Sequence, residues 1–151
     1  MAQMVDSQQQ ELSVEDIIGI AGMNTGAEVE PQRLVEMINA ELQMPNTLFL
    51  REGNTLFIIH KAEPGVGYFR ALNADTARNF LENGRTFMLA CHKMGFDTMA
   101  TKFDDPTILS VFRYVSQNPP VEGMGYNVRK TNDGGFYVTV NTGQRAGGQT
   151  Q

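Results

Sequence analysis

One stretch limits what this chain can fold into more than any other: Asp75 to Gly95, a continuous helical pattern set between two extended segments. Ala77, Phe80, Leu81, Gly84, Met88 and Cys91 fall at i, i+3, i+4, i+7, i+11 and i+14, which is one helical face. Arg78, Glu82, Asn83, Arg85 and Lys93 take the opposite face. The helix is therefore expected to lie on an apolar surface with its other side in water. Gly67–Leu72 before it and Phe96–Phe103 after it read as strands. A strand, a helix of this length and a strand form a βαβ unit, whose strands are expected to be parallel with a right-handed crossover.

Ahead of this unit the pattern is helical and then extended. Ser13 caps a helix with Glu15 and Asp16 in its first turn, where backbone N–H groups favour carboxylates. Val14, Ile17, Ile18 and Ala21 form its apolar face, and the stretch Gly22 to Gly26 ends it. Pro31 opens a second helix through Leu42, with Leu34, Val35, Ile38 and Leu42 on one side and Met44-Pro45 as the stop. Thr47–Arg51, a Glu52-Gly53-Asn54 turn and Thr55–Lys61 form a hairpin. A loop from Ala62 to Gly67 returns the chain, giving three successive antiparallel strands. After the unit, Asp104-Asp105-Pro106 starts a helix that buries Ile108, Leu109, Phe112 and Val115 and stops at Asn118-Pro119-Pro120. Tyr126–Thr131 and Phe136–Asn141 flank Asn132-Asp-Gly-Gly135, a turn suited to positive φ.

The fold class is thus α/β in the mixed α+β sense: a mostly antiparallel sheet with helices on both faces and a central βαβ unit. At 151 residues the chain bounds one domain, placed at residues 13–141. A lone cysteine excludes a disulfide framework and fits a reducing compartment. No apolar run is long enough to cross a bilayer and the N-terminus lacks a leader pattern, so a cytoplasmic protein without membrane contact is expected. The net charge of -5 and the scattered basic residues argue against nucleic acid bound through a basic patch. Residues 1–32 hold six acids and no base, so the acidic excess is an N-terminal property. Residues 1–12 are read as a flexible, acidic and polar arm, and residues 142–151 as a flexible Gly- and Gln-rich tail. Met1, Met4, Met23 and Met44 lie in or beside the N-terminal region and could face a partner.

The order helix, helix, three strands, helix, strand, helix, two strands resembles the GNAT N-acetyltransferase fold over residues 14–141. The family's first strand, ahead of the early helices, has no counterpart, because residues 1–12 do not read as one. The resemblance implies a coenzyme A loop between the third strand here and the long helix, glycine-rich so that backbone N–H groups hold the pyrophosphate. The corresponding stretch is Leu72-Asn73-Ala74-Asp75-Thr76-Ala77, without a glycine and with a carboxylate at Asp75. No acetyl-CoA site is therefore expected in the usual place, and Asn73, Ala74, Asp75 and Thr76 form a degenerate loop. The resemblance also implies an N-x-x-A-x-x-x-Y pattern on the later helix, whose tyrosine protonates the leaving thiolate. Thr107, Ser110 and Tyr114 stand at that spacing, so only the tyrosine is kept.

The other candidates carry less chemistry. Gly65-Val-Gly67 precedes a strand and reads as a turn rather than a phosphate cradle. His60 and His92 lack ligand-spaced partners, so no metal site is expected. Cys91 continues the apolar stripe as an inert core thiol. A GNAT-like fold without its coenzyme loop and with polar ends is similar to small GNAT-like proteins of tailed-bacteriophage virions. That resemblance implies a non-catalytic structural or assembly protein without a cofactor, a pseudoenzyme, located in the virion. It would bind neighbouring subunits through its terminal arms, with a homo-oligomer also open. The alternative is an active N-acyltransferase using acetyl-CoA with Tyr114 as general acid.

Overall fold

A computed structural model of the chain describes residues 12–24 and 29–143. The arm of residues 1–12 and the tail of residues 142–151 thus lie almost entirely outside the described residues, as do Met1 and Met4. Among the described residues, four α-helices and six strands follow one another as α1 (Val14–Asn24), α2 (Pro31–Leu42), β1 (Thr47–Glu52), β2 (Thr55–Glu63), β3 (Val66–Asn73), α3 (Ala77–Lys93), β4 (Thr98–Phe103), α4 (Leu109–Gln117), β5 (Gly125–Lys130) and β6 (Phe136–Asn141).

The sheet runs β1-β2-β3-β4-β6-β5, and every neighbouring pair is antiparallel except β3 with β4. The expected βαβ unit is present, with its two strands side by side and parallel. On one face α1 and α2 bring Ile17, Ile18 and Ile38 onto Leu56 and Ile58 of β2. On the other, α3 and α4 bring Phe87, Met88, Cys91, Phe112 and Val115 onto Phe57, Ile59, Met99, Val138 and Val140. Successive residues of β2 therefore serve opposite cores, which is why Leu56 to Ile59 reads as an unbroken apolar run.

Local chemistry sets most of the boundaries. Pro31 is the first residue of α2. The Ser13 hydroxyl accepts from Asp16 N at 3.0 Å, and the Asp105 carboxylate accepts from Thr107 N at 3.0 Å. That last start differs from the expected single helix: Pro106–Ile108 is a 3-10 turn and the α-helix begins at Leu109. The loop placed at Ala62–Gly67 is in fact a tight turn, because β2 continues to Glu63 and β3 starts at Val66, with Gly65 at φ 80. The strand expected from Phe96 starts at Thr98.

Four placements need correction. Phe87, absent from the predicted stripe, is fully buried, and its ring stacks on Phe57 with centroids 4.0 Å apart. Asn83, assigned to the solvent face, turns inward to Thr55 and Asp75. Leu12 and Thr142, counted with the flexible ends, are fixed. Leu12 N–H donates to Asn54 Oδ1 at 3.1 Å. Thr142 is buried, its hydroxyl donating to the Phe96 carbonyl at 2.6 Å.

Candidate functional site: a wedge in the sheet

The β3–β4 ladder holds over three residue pairs, Val66 with Thr98, Gly67 with Met99 and Tyr68 with Ala100. Gly67 allows this close joint: a Cβ there would stand 3.0 Å from both Ile59 Cγ2 and Phe96 Cε1 and 3.1 Å from Met99 Sδ. Beyond it, β3 stays paired with β2 through Asn73, and β4 stays paired with β6 through Phe103. The two strands part company and leave a wedge open between them.

A cavity of about 480 Å³ fills that wedge, within the ~300–1,000 Å³ range of small-molecule sites. Phe57, Phe87 and Val140 form a buried floor, while half-buried Phe69, Phe103 and Tyr126 stand in the walls. Phe103 stacks on Phe112 with centroids 5.9 Å apart, which fixes one wall against α4. Because each strand is paired on one side only here, alternate residues of Phe69–Asn73 and Thr101–Phe103 turn backbone N–H and C=O groups into the cavity. The wedge can hold an extended, largely apolar chain that carries its own hydrogen-bonding groups.

The mouth of the wedge at Asn73 and Ala77 is the start of α3. Here Asp75 Oδ2 accepts from Asn54 N at 2.8 Å and from Asn83 Nδ2 at 2.7 Å. Asn83 Nδ2 also donates to Thr55 Oγ1 at 2.9 Å, and that buried hydroxyl donates to Asn73 Oδ1 at 2.7 Å. Asn73 Oδ1 further accepts from Asp75 N at 3.0 Å. Thr76 is the N-cap, its hydroxyl accepting from Asn79 N at 3.2 Å. Of the loop residues singled out in the sequence, Asn73 and Asp75 are therefore joined in one network that ties the β1–β2 turn to α3, and Thr76 caps the helix beside it. The turn glycine is part of it: Gly53 has φ 56, and a Cβ there would come 2.8 Å from Asp75 Oδ2.

Tyr114 lies elsewhere. Its hydroxyl donates to Glu82 across the α3–α4 contact, a bond that holds the phenol proton more tightly and raises its pKa. Val115 and Ser116 of the same helix line the cavity, whereas Tyr114 is not part of the lining. Thr107 and Ser110 serve the start of α4, with Thr107 Oγ1 donating to Asp105 Oδ1 at 2.8 Å and Ser110 Oγ to the Thr107 carbonyl at 2.7 Å. Asn73 was anticipated through the degenerate loop, but the apolar residues that make up most of the lining were not, since they sit in ordinary apolar faces of strands and helices. The parallel pair around the long helix was the only signal for them.

The remaining candidates are scattered. His60 Nε2 is 2.6 Å from Glu41 Oε2, and Arg70 pairs with the other oxygen of the same carboxylate. His92 Nδ1 is 3.4 Å from Thr142 Oγ1. Cys91 is fully buried, and burial pushes its thiol up to about 12. Among the described residues no three His, Cys, Asp or Glu side chains gather in a way that could hold a metal ion, and no helix is long and apolar enough to cross a membrane. Met23 and Met44 are exposed.

No protein-family model and no curated protein sequence matches the chain. Solved structures do. The ribosomal-protein-S18-alanine N-acetyltransferase from Escherichia coli superposes with a TM-score of 0.54 at 12% identity, over 94% of this chain and 97% of that one. An aminoglycoside 6'-acetyltransferase type Ii gives 0.53 at 11% identity, over 95% and 94%. A GNAT-family acetyltransferase from Staphylococcus aureus Mu50 gives 0.51 at 12%, over 85% and 95%. Coverage this complete of both partners, together with the mixed sheet and the helices on its two faces, establishes that the chain has the GNAT acetyltransferase fold.

Proposed function

We propose that this chain is a non-catalytic assembly protein, a pseudoenzyme on a GNAT scaffold that takes its place in a bacteriophage particle and binds its neighbours through its terminal segments. One observation carries the non-catalytic part. The start of α3, where an acetyltransferase would hold pyrophosphate, is engaged by the chain's own side chains, with the Asp75 carboxylate fixed by Asn54 and Asn83 and Asn79 N–H taken by Thr76. A phosphate at about 4 Å from that carboxylate would be repelled by roughly 4 kcal/mol near a protein surface. The particle part rests on the resemblance of element order and polar ends to small virion proteins. Calorimetric titration with acetyl-CoA tests the proposal: no saturable heat is expected, and tight one-to-one binding would overturn it.

The wedge favours a second reading, an N-acyltransferase whose acyl donor lies between β3 and β4. In that reading Tyr114 would protonate the leaving thiolate after giving up its bond to Glu82. Acetyl transfer by the purified protein, lost in Tyr114→Phe, is the result that would put this reading first.

A further inference from the structure

Two strand edges face one another across the wedge. Ala74 N donates to the Asn54 carbonyl and Thr142 N to the Asp97 carbonyl, so each antiparallel ladder alternates from a known bonded pair. By that alternation Phe69, Ala71 and Asn73 of β3 turn their N–H and C=O groups away from β2 and toward the wedge, and Lys102 of β4 turns its own away from β6. The lining between these edges is aromatic, with Phe57, Phe69, Phe87 and Phe103 in it. An extended peptide with apolar side chains suits both features. Methionine suits them best, because its flexible thioether fills irregular space and makes favourable contacts with aromatic rings.

The chain carries such a segment and brings it to the mouth. Met1-Ala2-Gln3-Met4-Val5 is apolar at four of its five positions, two of them methionine, and lies outside the described residues, which begin at Leu12. Leu12 N donates to Asn54 Oδ1, Asn54 N to Asp75 Oδ2, and Thr55, next in the chain, to Asn73 of the cavity lining. The chain therefore enters the described fold beside the mouth of the wedge. The intervening Asp6–Glu11 is polar throughout and reaches about 20 Å when extended, at ~3.3 Å per residue. The other end of the chain has neither property. It leaves β6 at Thr142, bonded to Asp97 where the β3–β4 ladder is closed, and residues 144–151 hold one alanine as their only apolar side chain.

We infer that Met1–Val5 lies in the wedge of its own chain as an added strand between β3 and β4. Entering from the mouth, it runs parallel to both, and its five residues match the open run of β3 from Phe69 to Asn73. Alternation puts Ala2 and Met4 on one face and Met1, Gln3 and Val5 on the other. Met4 then meets the floor made by the stacked rings of Phe57 and Phe87, while the second face looks toward Ala21 of α1, which also lines the cavity. The placement stands on the geometry of the wedge, and it applies whether or not an acyl donor can enter there. In the assembly reading it gives the N-terminal segment a resting site from which a neighbour must draw it.

Nuclear magnetic resonance of the full chain with isotope-labelled methionine methyl groups tests the placement. The Met4 methyl, assigned by its loss in Met4→Leu, should show Overhauser contacts to phenylalanine ring protons. Burying one methionine side chain is worth about 10–100-fold in an equilibrium constant, so Met4→Asp should release the segment. The apparent affinity for an apolar dye, anilinonaphthalene sulfonate, should then rise by about 10-fold, with Met4→Leu close to wild type. A Met4 methyl without ring contacts would overturn the inference, as would a dye affinity equal in wild type and Met4→Asp. Sedimentation velocity should find the contacts in a monomer; contacts confined to a dimer would give the wedge to the segment of a second copy and overturn the placement within one chain. Neither readout uses acetyl-CoA, so their failure is distinct from failure of the non-catalytic reading.

Discussion

Replacing Asp75 by alanine is the sharpest test of how the start of α3 is built. The substitution removes the acceptor of two short hydrogen bonds, from Asn54 N at 2.8 Å and Asn83 Nδ2 at 2.7 Å, together with a long contact from Asn79 Nδ2 at 3.5 Å that adds little. A hydrogen bond to a charged group contributes about 1.5–3 kcal/mol when buried. The network here is part-buried, so roughly half of that applies to each bond, or about 1.5–3 kcal/mol together. For a domain of this size that lowers Tm by about 5–10 °C. Urea unfolding followed by circular dichroism measures the loss. Asn83→Ala in the same background completes a double-mutant cycle, whose coupling should reach about 1 kcal/mol. A loss below about 0.5 kcal/mol would mean the carboxylate is not held by the β1–β2 turn. The argument that the chain closes its own anion site would then fail.

Two further outcomes follow from the buried and paired groups. Cys91, sealed under α3 with its thiol pushed up to about 12, should resist a thiol-specific reagent at pH 8 in the native protein and react once in guanidinium chloride; rapid native labelling would contradict its placement. For Glu41, burial opposes the charged form, but the hydrogen bonds and charges of Arg70 and His60 outweigh it and lower the carboxyl pKa. A lowered folded-state pKa contributes stability that is present above the ordinary carboxylate value near 4.5 and lost as pH falls through the folded one. Glu41→Gln should therefore cost up to about 1 kcal/mol at pH 7, because its partners His60 and Arg70 are 40% and 47% exposed and solvent screens the pairs, and nothing once the wild-type carboxylate is protonated. A cost that persists unchanged at low pH would assign the effect to packing instead.

Much of the architecture was readable because its causes are local. Pro31 fixes the start of α2, Gly53 and Gly134 supply the positive φ of two hairpin turns, and the change from helical to alternating period marks where β1 begins. Phe87 could also have been found, standing three residues after Gly84 and four before Cys91 on the same stripe. Asn83 could not, because a polar residue at the border of an apolar face turns inward only if something there accepts it. That acceptor, Asp75 joined to Asn54, is made by the β1–β2 turn arriving from elsewhere in the chain.

By itself the sequence determined the elements, their order and the parallel pair around the long helix, since propensity, caps and turns act over a few residues. Only the tertiary structure decided where β3 and β4 part. That depends on Gly67 admitting Ile59, Phe96 and Met99 at one end of the ladder while β2 and β6 hold the strands apart at the other. The wedge, the engagement of Asp75 and the pairing of Tyr114 with Glu82 all follow from contacts between residues remote in the chain. The pattern of apolar and polar residues records that each is buried or exposed, and the fold alone records against what.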